Sequence, residues 1–312
     1  MRRWIGCLLA ALAVGLSLAE SSSAQAASSG EDWTSYRMIA HAMGGIDHKR
    51  YTNSYDAFVE NYLKGYRVFE VDLLLTADGK LAALHDWEGG TAMTIRAFKR
   101  TAVDDAYTPL SFRDIARLMH DYPDMYLVTD TKETDLALVR KQFENIRSAA
   151  AAVDPSILNR IIPEIYTPEM YDAVMDIYPF PNKLYSLYLS DDPDSEIVRF
   201  VREQGIRTVA MPLRRALFDP RLVGLLSGLG VKTYVHTVNY PIVLSWLVDL
   251  GIYGVYTDFL DYRPAYFRQA LSAPARWLIW GLALLLAAGL IRTWRTRMPA
   301  GWPPGRTGRS GT

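Results

Sequence analysis

The sequence predicts a parallel (β/α)8 barrel of the TIM type with an inserted β-hairpin over residues 33–272. Two observations favour it: eight short apolar, strand-like runs recur along the chain, and helix-like stretches lie between most of them. Eight strands with intervening helices in roughly 240 residues match such a barrel in length and order. An open, doubly wound sheet is the alternative that the same pattern allows.

The strand-like runs are rich in β-branched and aromatic residues and are separated by turn signals. They are Met38–His41, Val68–Leu74, Met125–Lys132, Arg160–Tyr166, Leu184–Leu189, Thr208–Leu213, Val231–Asn239 and Gly254–Phe259. Helices are predicted over Ser54–Lys64, Ser111–Asp121, Pro168–Ile177, Asp194–Gln204, Pro220–Leu229 and Tyr240–Leu250. Ser111 is the type of residue that caps a helix start, and Gly65 the type that ends one.

One segment breaks the alternation. Leu81–His85 follows Val68–Leu74 after the short turn sequence Thr76–Lys80, which contains Asp78-Gly79. Because a connection that short cannot cross over a sheet, the two runs are predicted to form an antiparallel hairpin. We expect the hairpin to rise above the barrel and to carry His85 to its mouth.

The chain begins with the pattern of a secretory signal peptide over residues 1–26. Two arginines precede the apolar stretch Trp4–Ala19, and a small-residue site, Ala24-Gln25-Ala26, follows it. An uncleaved N-terminal anchor is the alternative. The single cysteine, Cys7, lies in this segment, so the mature protein is predicted to contain no disulfide.

A second apolar segment predicts a transmembrane helix at residues 277–294. Trp277–Ile291 is unbroken and has no polar face, which argues against the alternative of a buried amphipathic helix. The arginine-rich tail, residues 295–312, is predicted to be disordered and cytoplasmic, since positive residues stay on that side. The sequence thus predicts a single-pass cell-membrane protein with its catalytic domain outside the cytoplasm.

Charge composition argues against a nucleic-acid partner. The chain has 34 Lys and Arg against 34 Asp and Glu, with a formal net charge of zero. No run of basic residues forms a stripe that could follow a phosphate backbone.

Paired carboxylates predict a metal site. Glu70 and Asp72 are two residues apart on a strand and therefore share a face, which we assign to the barrel lumen. Asp130 and Lys132 repeat this spacing on the next parallel strand. Carboxylates so close together repel unless a cation lies between them, and three oxygen donors suit Mg²⁺ or Ca²⁺ better than zinc. The alternative is an exposed acidic strand face paired with Lys132.

Two histidines at strand ends predict acid–base catalysis. His41 ends the first strand and His85 ends the hairpin strand, and histidine is the usual general acid or base near neutral pH. Gly44-Gly45 follows His41, where glycines would let the backbone approach a ligand closely. Four further residues are predicted substrate contacts, and the first of them is also a candidate outer metal ligand: Glu164, Lys132, His236 and Asn239.

Several segments resemble the opening of glycerophosphodiester phosphodiesterases. They are Ile39-Ala40-His41, Asn53-Ser54-Tyr55-Asp56-Ala57-Phe58, Phe69-Glu70-Val71-Asp72-Leu73, Thr76-Ala77-Asp78-Gly79-Lys80 and Leu84-His85-Asp86. Val235–Asn239 and Leu250–Asp258 are similar to the last strands of that family. The resemblance spans roughly residues 37 to 262.

The resemblance implies a metal-dependent barrel that cleaves phosphodiesters, with a glycerophosphodiester or a phospholipid-derived head group as substrate. It gives His41 and His85 the acid–base roles. It gives the metal to Glu70, Asp72 and, at the position of a family glutamate, Asp130.

Three departures from the family pattern bear on the substrate. Ala42 stands where the family has an arginine, Thr52 where it has a glutamate, and His236 where it often has a tryptophan. The missing arginine would hold the phosphate bidentately, and Lys132 offers a point charge in its place.

The Asp130-Thr131-Lys132 motif also resembles that of sphingomyelinase D-type phospholipases and phosphatidylinositol-specific phospholipases C. A phospholipase D- or C-like activity on lysophospholipid or sphingomyelin is therefore one alternative. An inactive barrel that binds a phosphate-bearing ligand is the other.

Overall fold

Short apolar strands that alternate with amphipathic helices close into a barrel in the computed structural model, which describes residues 32–267. The strands are β1 (Met38–Ala40), β2 (Val68–Leu75), β3 (Leu81–Ala83), β4 (Tyr126–Asp130), β5 (Ile161–Ile165), β6 (Leu184–Ser186), β7 (Thr208–Pro212), β8 (Lys232–His236) and β9 (Gly254–Thr257). All except β3 are parallel, and β1 pairs with both β2 and β9. This closure confirms the predicted (β/α)8 barrel and excludes the open sheet.

The helices follow the strands in the expected order. They are α1 (Tyr55–Leu63), α2 (Ile95–Phe98), α3 (Phe112–Asp121), α4 (Leu136–Ala151), α5 (Pro168–Ile177), α6 (Asp194–Glu203), α7 (Leu213–Phe218), α8 (Pro220–Gly228) and α9 (Pro241–Asp249). Ser111 caps α3 in a reciprocal capping box with Asp114, as predicted for that position. Helix α4, which begins after the Asp135 cap between β4 and β5, was not among the predicted helices.

The predicted hairpin is present. Strand β3 runs antiparallel to the end of β2, with Leu73 opposite Ala83 and Leu75 opposite Leu81. The hairpin extends β2 beyond the barrel rim, so that His85 reaches the carboxyl-terminal mouth. Its position matters because parallel barrels hold their functional side chains at that mouth.

Alternation along the strands divides the core into two layers. One set of side chains fills the lumen, including Ile39, Val68 and Val128, and Trp33 stacks on Tyr234 at a ring distance of 5.5 Å. The other set packs between the strands and the helices, and it includes Phe69, Val71 and Leu73 as predicted. Apolar and aromatic side chains therefore fill the lumen below the mouth.

Several sequence-based predictions lie outside the described residues. These are the signal peptide at 1–26, the transmembrane helix at 277–294 and the tail at 295–312. Within residues 32–267, none of the helices combines the length and apolar character that crossing a bilayer requires.

Candidate active site

Three carboxylates meet at the carboxyl-terminal mouth. Glu70 and Asp72 lie on β2 and Asp130 ends β4, where Asp72 and Asp130 are register partners. One oxygen from each lies within 4.8 Å of the others, and Glu70 and Asp72 are almost completely buried. The predicted cluster is therefore present, and the alternative of an exposed acidic face is wrong.

Burial and mutual repulsion perturb these acids. Burial raises the pKa of Glu70 well above its usual range, and the charges of Asp72 and Asp130 add to the rise. The pKa of Asp130 rises to about 6, first because of burial and then because of Asp72. Both shifts have the same cause: the negative charges at this site exceed the positive charges that could neutralise them.

The donor set fits a hard divalent cation. Glu70 Oε1 is buried and has no hydrogen-bond partner within residues 32–267, while Glu70 Oε2 accepts from the Ala42 backbone N–H at 2.7 Å. Tyr166 donates its hydroxyl to Asp130. A buried, unpaired carboxylate oxygen beside two other carboxylates is the arrangement that oxygen-liganded Mg²⁺ or Ca²⁺ would satisfy.

Asp72 is held from two sides. Asn53 Nδ2 donates to Asp72 Oδ2 at 2.8 Å, and the Asp72 backbone N–H donates to Asn53 Oδ1 at 2.9 Å. The Lys132 ammonium lies 2.9 Å from Asp72 Oδ1 and also donates to the His85 carbonyl at 3.2 Å. Burial opposes the charge on Lys132, but Asp72 outweighs it and leaves the pKa of Lys132 raised.

His41 faces the cluster through a fixed tautomer. Its Nδ1 lies 2.8 Å from Asp258 Oδ1, and since a carboxylate only accepts, Nδ1 carries the proton. Nε2 therefore points toward the acids, 3.9 Å from Glu70 Oε2. Asn239 Nδ2 donates to the other Asp258 oxygen at 2.7 Å. This chain of contacts fixes the imidazole between Glu70 on β2 and Asp258, which directly follows β9.

His85 lies on the exposed side of the same mouth. Its Nδ1 donates to Asp86, and its ring is 39% exposed. The Tyr51 ring lies between the two histidines, with ring distances of 5.1 Å to His41 and 4.5 Å to His85. His41 therefore faces the carboxylate cluster directly, whereas His85 is linked to it through Tyr51 and through the contact of its carbonyl with Lys132.

The remaining predicted contacts differ in what they touch. Burial, followed by the charge of Asp130, raises the pKa of Glu164 to about 8, which favours its neutral form. His236 is neutral as well, because burial and the neighbouring His41 lower its pKa to about 4. Both amide atoms of Asn239 are engaged, since its oxygen accepts from Thr257 and the Asp258 backbone. Its role as a substrate contact stays a prediction.

The glycines after His41 serve packing. A Cβ on Gly45 would lie 2.2 Å from the Phe259 ring, and one on Gly44 would lie 2.3 Å from the Asn61 amide. Gly44 also has a φ of +87°, which favours glycine. Protein side chains therefore occupy the space beside these glycines where a ligand was predicted to approach.

Sequence reasoning missed four residues of the site: Tyr51, Asn53, Tyr166 and Asp258. Asn53 and Asp258 stand inside motifs that resemble the family, and that position was the available signal. Tyr51 and Asn53 both have a positive φ, at 62° and 48°. No local sequence pattern predicted the shape of this loop.

Apolar side chains are exposed along the half of the mouth built by β6 to β9. Tyr188, Leu189, Phe218, Tyr240, Ile242 and Phe259 are each more than 40% exposed. Tyr188 lies 5.8 Å from the His236 ring, and Arg215 of α7 donates to the Ser190 carbonyl at 2.7 Å. We call these six residues the apolar rim, and Tyr188 joins it to His236.

Comparisons with known proteins support the fold. No protein-family model matches the chain. A phosphodiesterase from Oleispira antarctica, solved in complex with the product sn-glycerol-3-phosphate, is similar in structure with a TM-score of 0.61 and 16% identity, over 75% of this chain and 96% of that one.

Two further solved structures give the same result. A glycerophosphodiester phosphodiesterase from Parabacteroides distasonis has a TM-score of 0.61 and 17% identity, over 71% of this chain and 92% of that one. One from Thermotoga maritima has a TM-score of 0.54 and 18% identity, over 71% and 94%. The chain therefore has the barrel fold of solved glycerophosphodiester phosphodiesterases.

Proposed function

We propose that this protein is a metal-dependent phosphoric diester hydrolase of the glycerophosphodiester phosphodiesterase type. One observation carries the proposal: three carboxylates with oxygens within 4.8 Å of one another share a barrel mouth with His41 and His85. The similarity of the fold to a phosphodiesterase solved with sn-glycerol-3-phosphate supports a phosphate-bearing small molecule as ligand. A glycerophosphodiester or a phospholipid-derived head group is the first candidate substrate.

Glu70, Asp72 and Asp130 would hold the cation, Mg²⁺ or Ca²⁺. When bound, the ion supplies charge neutralisation and polarisation of the phosphate. Lys132 is fixed beside Asp72 and would stabilise charge on the non-bridging phosphate oxygens. It would take the place of the arginine that the family has at the position of Ala42.

His41 is suited to the role of general base. Its Nδ1 proton is committed to Asp258, so the Nε2 lone pair is free to accept a proton from the attacking water or substrate hydroxyl. Asp258 would stabilise the imidazolium that forms. Asn239 holds Asp258 in place and so acts through it.

His85 is suited to the role of general acid. It lies across Tyr51 from His41, on the solvent side of the cluster, where a leaving alcohol would depart. Protonation of the leaving alkoxide is needed because an unprotonated alcohol leaves poorly. The Lys132 contact to the His85 carbonyl holds this residue near the phosphate-binding groups.

The apolar rim favours a second candidate substrate, a lysophospholipid. Exposed apolar side chains that adjoin a polar site are typical of surfaces that bind a lipid chain. A phosphate at the carboxylate cluster would leave an acyl chain free to lie along Tyr188 and Phe218. Water would then be excluded from both partners.

The test is a substrate panel with glycerophosphocholine, glycerophosphoinositol, sphingomyelin and a short-chain lysophosphatidylcholine, analysed by phosphorus NMR. We expect turnover that EDTA abolishes and that Mg²⁺ or Ca²⁺ restores. Glu70→Gln should lose this metal response, whereas the exposed Glu88→Gln should retain it. An absence of turnover with every metal and substrate would favour the phosphate-binding barrel instead.

A matched pair of variants separates the two substrate classes. Phe218 and Leu63 are 83% and 80% exposed, but only Phe218 belongs to the apolar rim. If the rim binds an acyl chain, Phe218→Ser should lower kcat/KM for lysophosphatidylcholine about threefold or more, since burial of a phenylalanine contributes up to about 3 kcal/mol. Leu63→Ser should change nothing. Equal effects on glycerophosphocholine and lysophosphatidylcholine would exclude an acyl site at the rim.

We also propose that the enzyme is anchored in the cell membrane and faces outward, on the basis of the predicted segments at 1–26 and 277–294 and the arginine-rich tail. Fusion of a topology reporter after residue 312 tests this. If a reporter that works only outside the cytoplasm is active in this fusion, the proposed orientation is wrong.

A further inference from the structure

Positive side chains collect at the amino-terminal end of the barrel, opposite the candidate active site. Arg160, Lys183 and Arg207 immediately precede β5, β6 and β7, and Lys232 begins β8. Together they line a groove of about 1230 Å³, in which Asp32 is the one carboxylate among the lining residues. We call it the basic groove. Such a concentration of positive charge favours an anionic partner.

Two of the four cations have neither a carboxylate nor a backbone carbonyl as a partner within residues 32–267. The guanidinium of Arg160 donates to backbone carbonyls, including that of Met125 at 2.8 Å. The ammonium of Lys232 contacts Thr34 and lies 3.8 Å from Asp32. Within residues 32–267, no carboxylate oxygen comes within 4 Å of the charged groups of Lys183 or Arg207. Burial lowers the pKa of Lys183, and no neighbouring carboxylate offsets that effect. Lys183 and Arg207 are therefore available to a ligand.

The chemistry of the groove suits phosphate. Lysine supplies a compact point charge and arginine a planar fork that binds phosphate oxygens in pairs. Uncharged donors, among them Asn159 and Asn182, line the same groove. Diesters and monoesters of phosphate are therefore the ligand class that these side chains recognise.

Both ends of the described chain lie at this same end of the barrel. Asp32 lines the groove, and the Phe267 ring lies 4.1 Å from the guanidinium carbon of Arg37, which precedes β1. Nine residues lie between Phe267 and Trp277, where the apolar segment begins, which makes ten steps from residue to residue. Fully extended, they span at most about 36 Å. An anchor at residues 277–294 would therefore hold the basic groove close to a bilayer.

We propose that the basic groove binds the phosphate head groups of anionic phospholipids, so that the amino-terminal end of the barrel lies on the membrane. The candidate active site then faces away from the bilayer, and its substrate arrives from the aqueous side. The proposal depends on charge and on the position of the chain ends, and it stands whether or not the barrel hydrolyses phosphodiesters.

The test measures which end of the full chain approaches a membrane. In a Cys7→Ala background, a fluorophore is attached either at Ser156→Cys, on the groove edge, or at Glu88→Cys, at the opposite mouth. The protein is mixed with or reconstituted into vesicles that contain head-group spin-labelled lipid as quencher. One set of vesicles is pure phosphatidylcholine, and the other contains one third phosphatidylglycerol.

We expect the label at 156 to be quenched more strongly than the label at 88, and only the former to respond to phosphatidylglycerol. Lys183→Gln and Arg207→Gln should each lower the ratio of docked to undocked protein about fivefold, the change that one basic residue at an anionic surface typically makes. The double variant Arg113→Gln and Lys141→Gln removes two positive charges from another surface, as many as the double substitution of Lys183 and Arg207. It should not change the quenching at 156. The Tm of each variant verifies folding.

Two results would overturn the proposal. Quenching at 156 that does not depend on lipid charge, or that survives the double substitution of Lys183 and Arg207, would show that the groove does not contact head groups. The second result is that inorganic phosphate binds to the groove while phosphatidylglycerol leaves the quenching at 156 unchanged. That result would identify a soluble anion as the ligand of the groove.

Discussion

The two ends of this barrel carry opposite charge, although the chain as a whole has a formal net charge of zero. At the carboxyl-terminal mouth, buried carboxylates crowd together, and burial and repulsion raise the pKa values of Glu70, Asp130 and Glu164. At the amino-terminal end, cations line an open groove, where Lys183 and Arg207 form no salt bridge within residues 32–267.

The difference lies in solvent access. Water screens the cations of the groove, so these charges change the free energy of folding little, even without a bound anion. The buried acids are screened far less, and they raise the free energy of the folded state until protons or a cation neutralise them. This difference is the reason for proposing a tightly held cation at the acidic mouth and reversible contact with an anion at the basic groove.

The largest expected effect is at the histidines of the acidic mouth. His41→Ala or His85→Ala should lower kcat on bis(p-nitrophenyl) phosphate by about 10²–10⁴-fold, the contribution of a positioned general acid or base. His120→Ala serves as control, because His120 is 56% exposed and pairs with Asp154 away from the site. Full activity in either site variant would remove that histidine from the mechanism.

The next effect concerns stability and pH. The pKa of Glu164 is about 8 in the folded chain and near 4.5 when it is unfolded, so the folded state binds the proton more tightly. Stability from this group is therefore greatest below pH 4.5 and is lost as pH rises through 8. Over that range the loss is about 5 kcal/mol, at 1.36 kcal/mol per pKa unit.

Glu164→Gln should remove that slope. In EDTA, we expect the variant to be more stable than the wild type at pH 8 and similar to it near pH 5, as measured by urea unfolding. The exposed Glu169→Gln on α5 provides the comparison and should keep the wild-type slope. An unchanged slope in Glu164→Gln would mean that Glu164 is ionised in the folded protein.

A smaller effect is expected where one residue positions another. Asp258→Asn leaves the size of the side chain intact but weakens its hold on His41 Nδ1. We expect kcat to fall about 10–100-fold with little change in KM, as is common when a supporting hydrogen bond is lost. Asn239→Ala should shift the same parameter in the same direction, because Asn239 reaches His41 only through Asp258. A change confined to KM would indicate a substrate contact.

The smallest effect is expected in the basic groove. Lys183→Gln should change the free energy of unfolding by less than about 0.5 kcal/mol, as surface substitutions usually do. The measurement is urea unfolding beside Glu164→Gln at the same pH values. A large destabilisation would show that Lys183 stabilises the fold, and the contrast between the two ends would then not hold.

Much of the site could be predicted because its signals are local. The two-residue spacing of Glu70 and Asp72 places both on one strand face, whatever the rest of the chain does. The short turn before Leu81 requires a hairpin, and the hairpin carries His85 to the mouth. Parallel order then brings Asp130 beside Asp72, since strand ends of one barrel share a rim.

What the sequence by itself determined is therefore periodicity: the barrel, the hairpin, and the edge at which the acids and histidines collect. Only the tertiary structure decided which groups touch, as in the contacts of His41 with Asp258, of Asp72 with Asn53 and of the Arg37 side chain with Phe267. These pairs are distant in sequence or lie in loops of irregular φ, where side-chain direction depends on packing. Charge follows the same division, because a pKa depends on burial and on neighbours that no local pattern specifies.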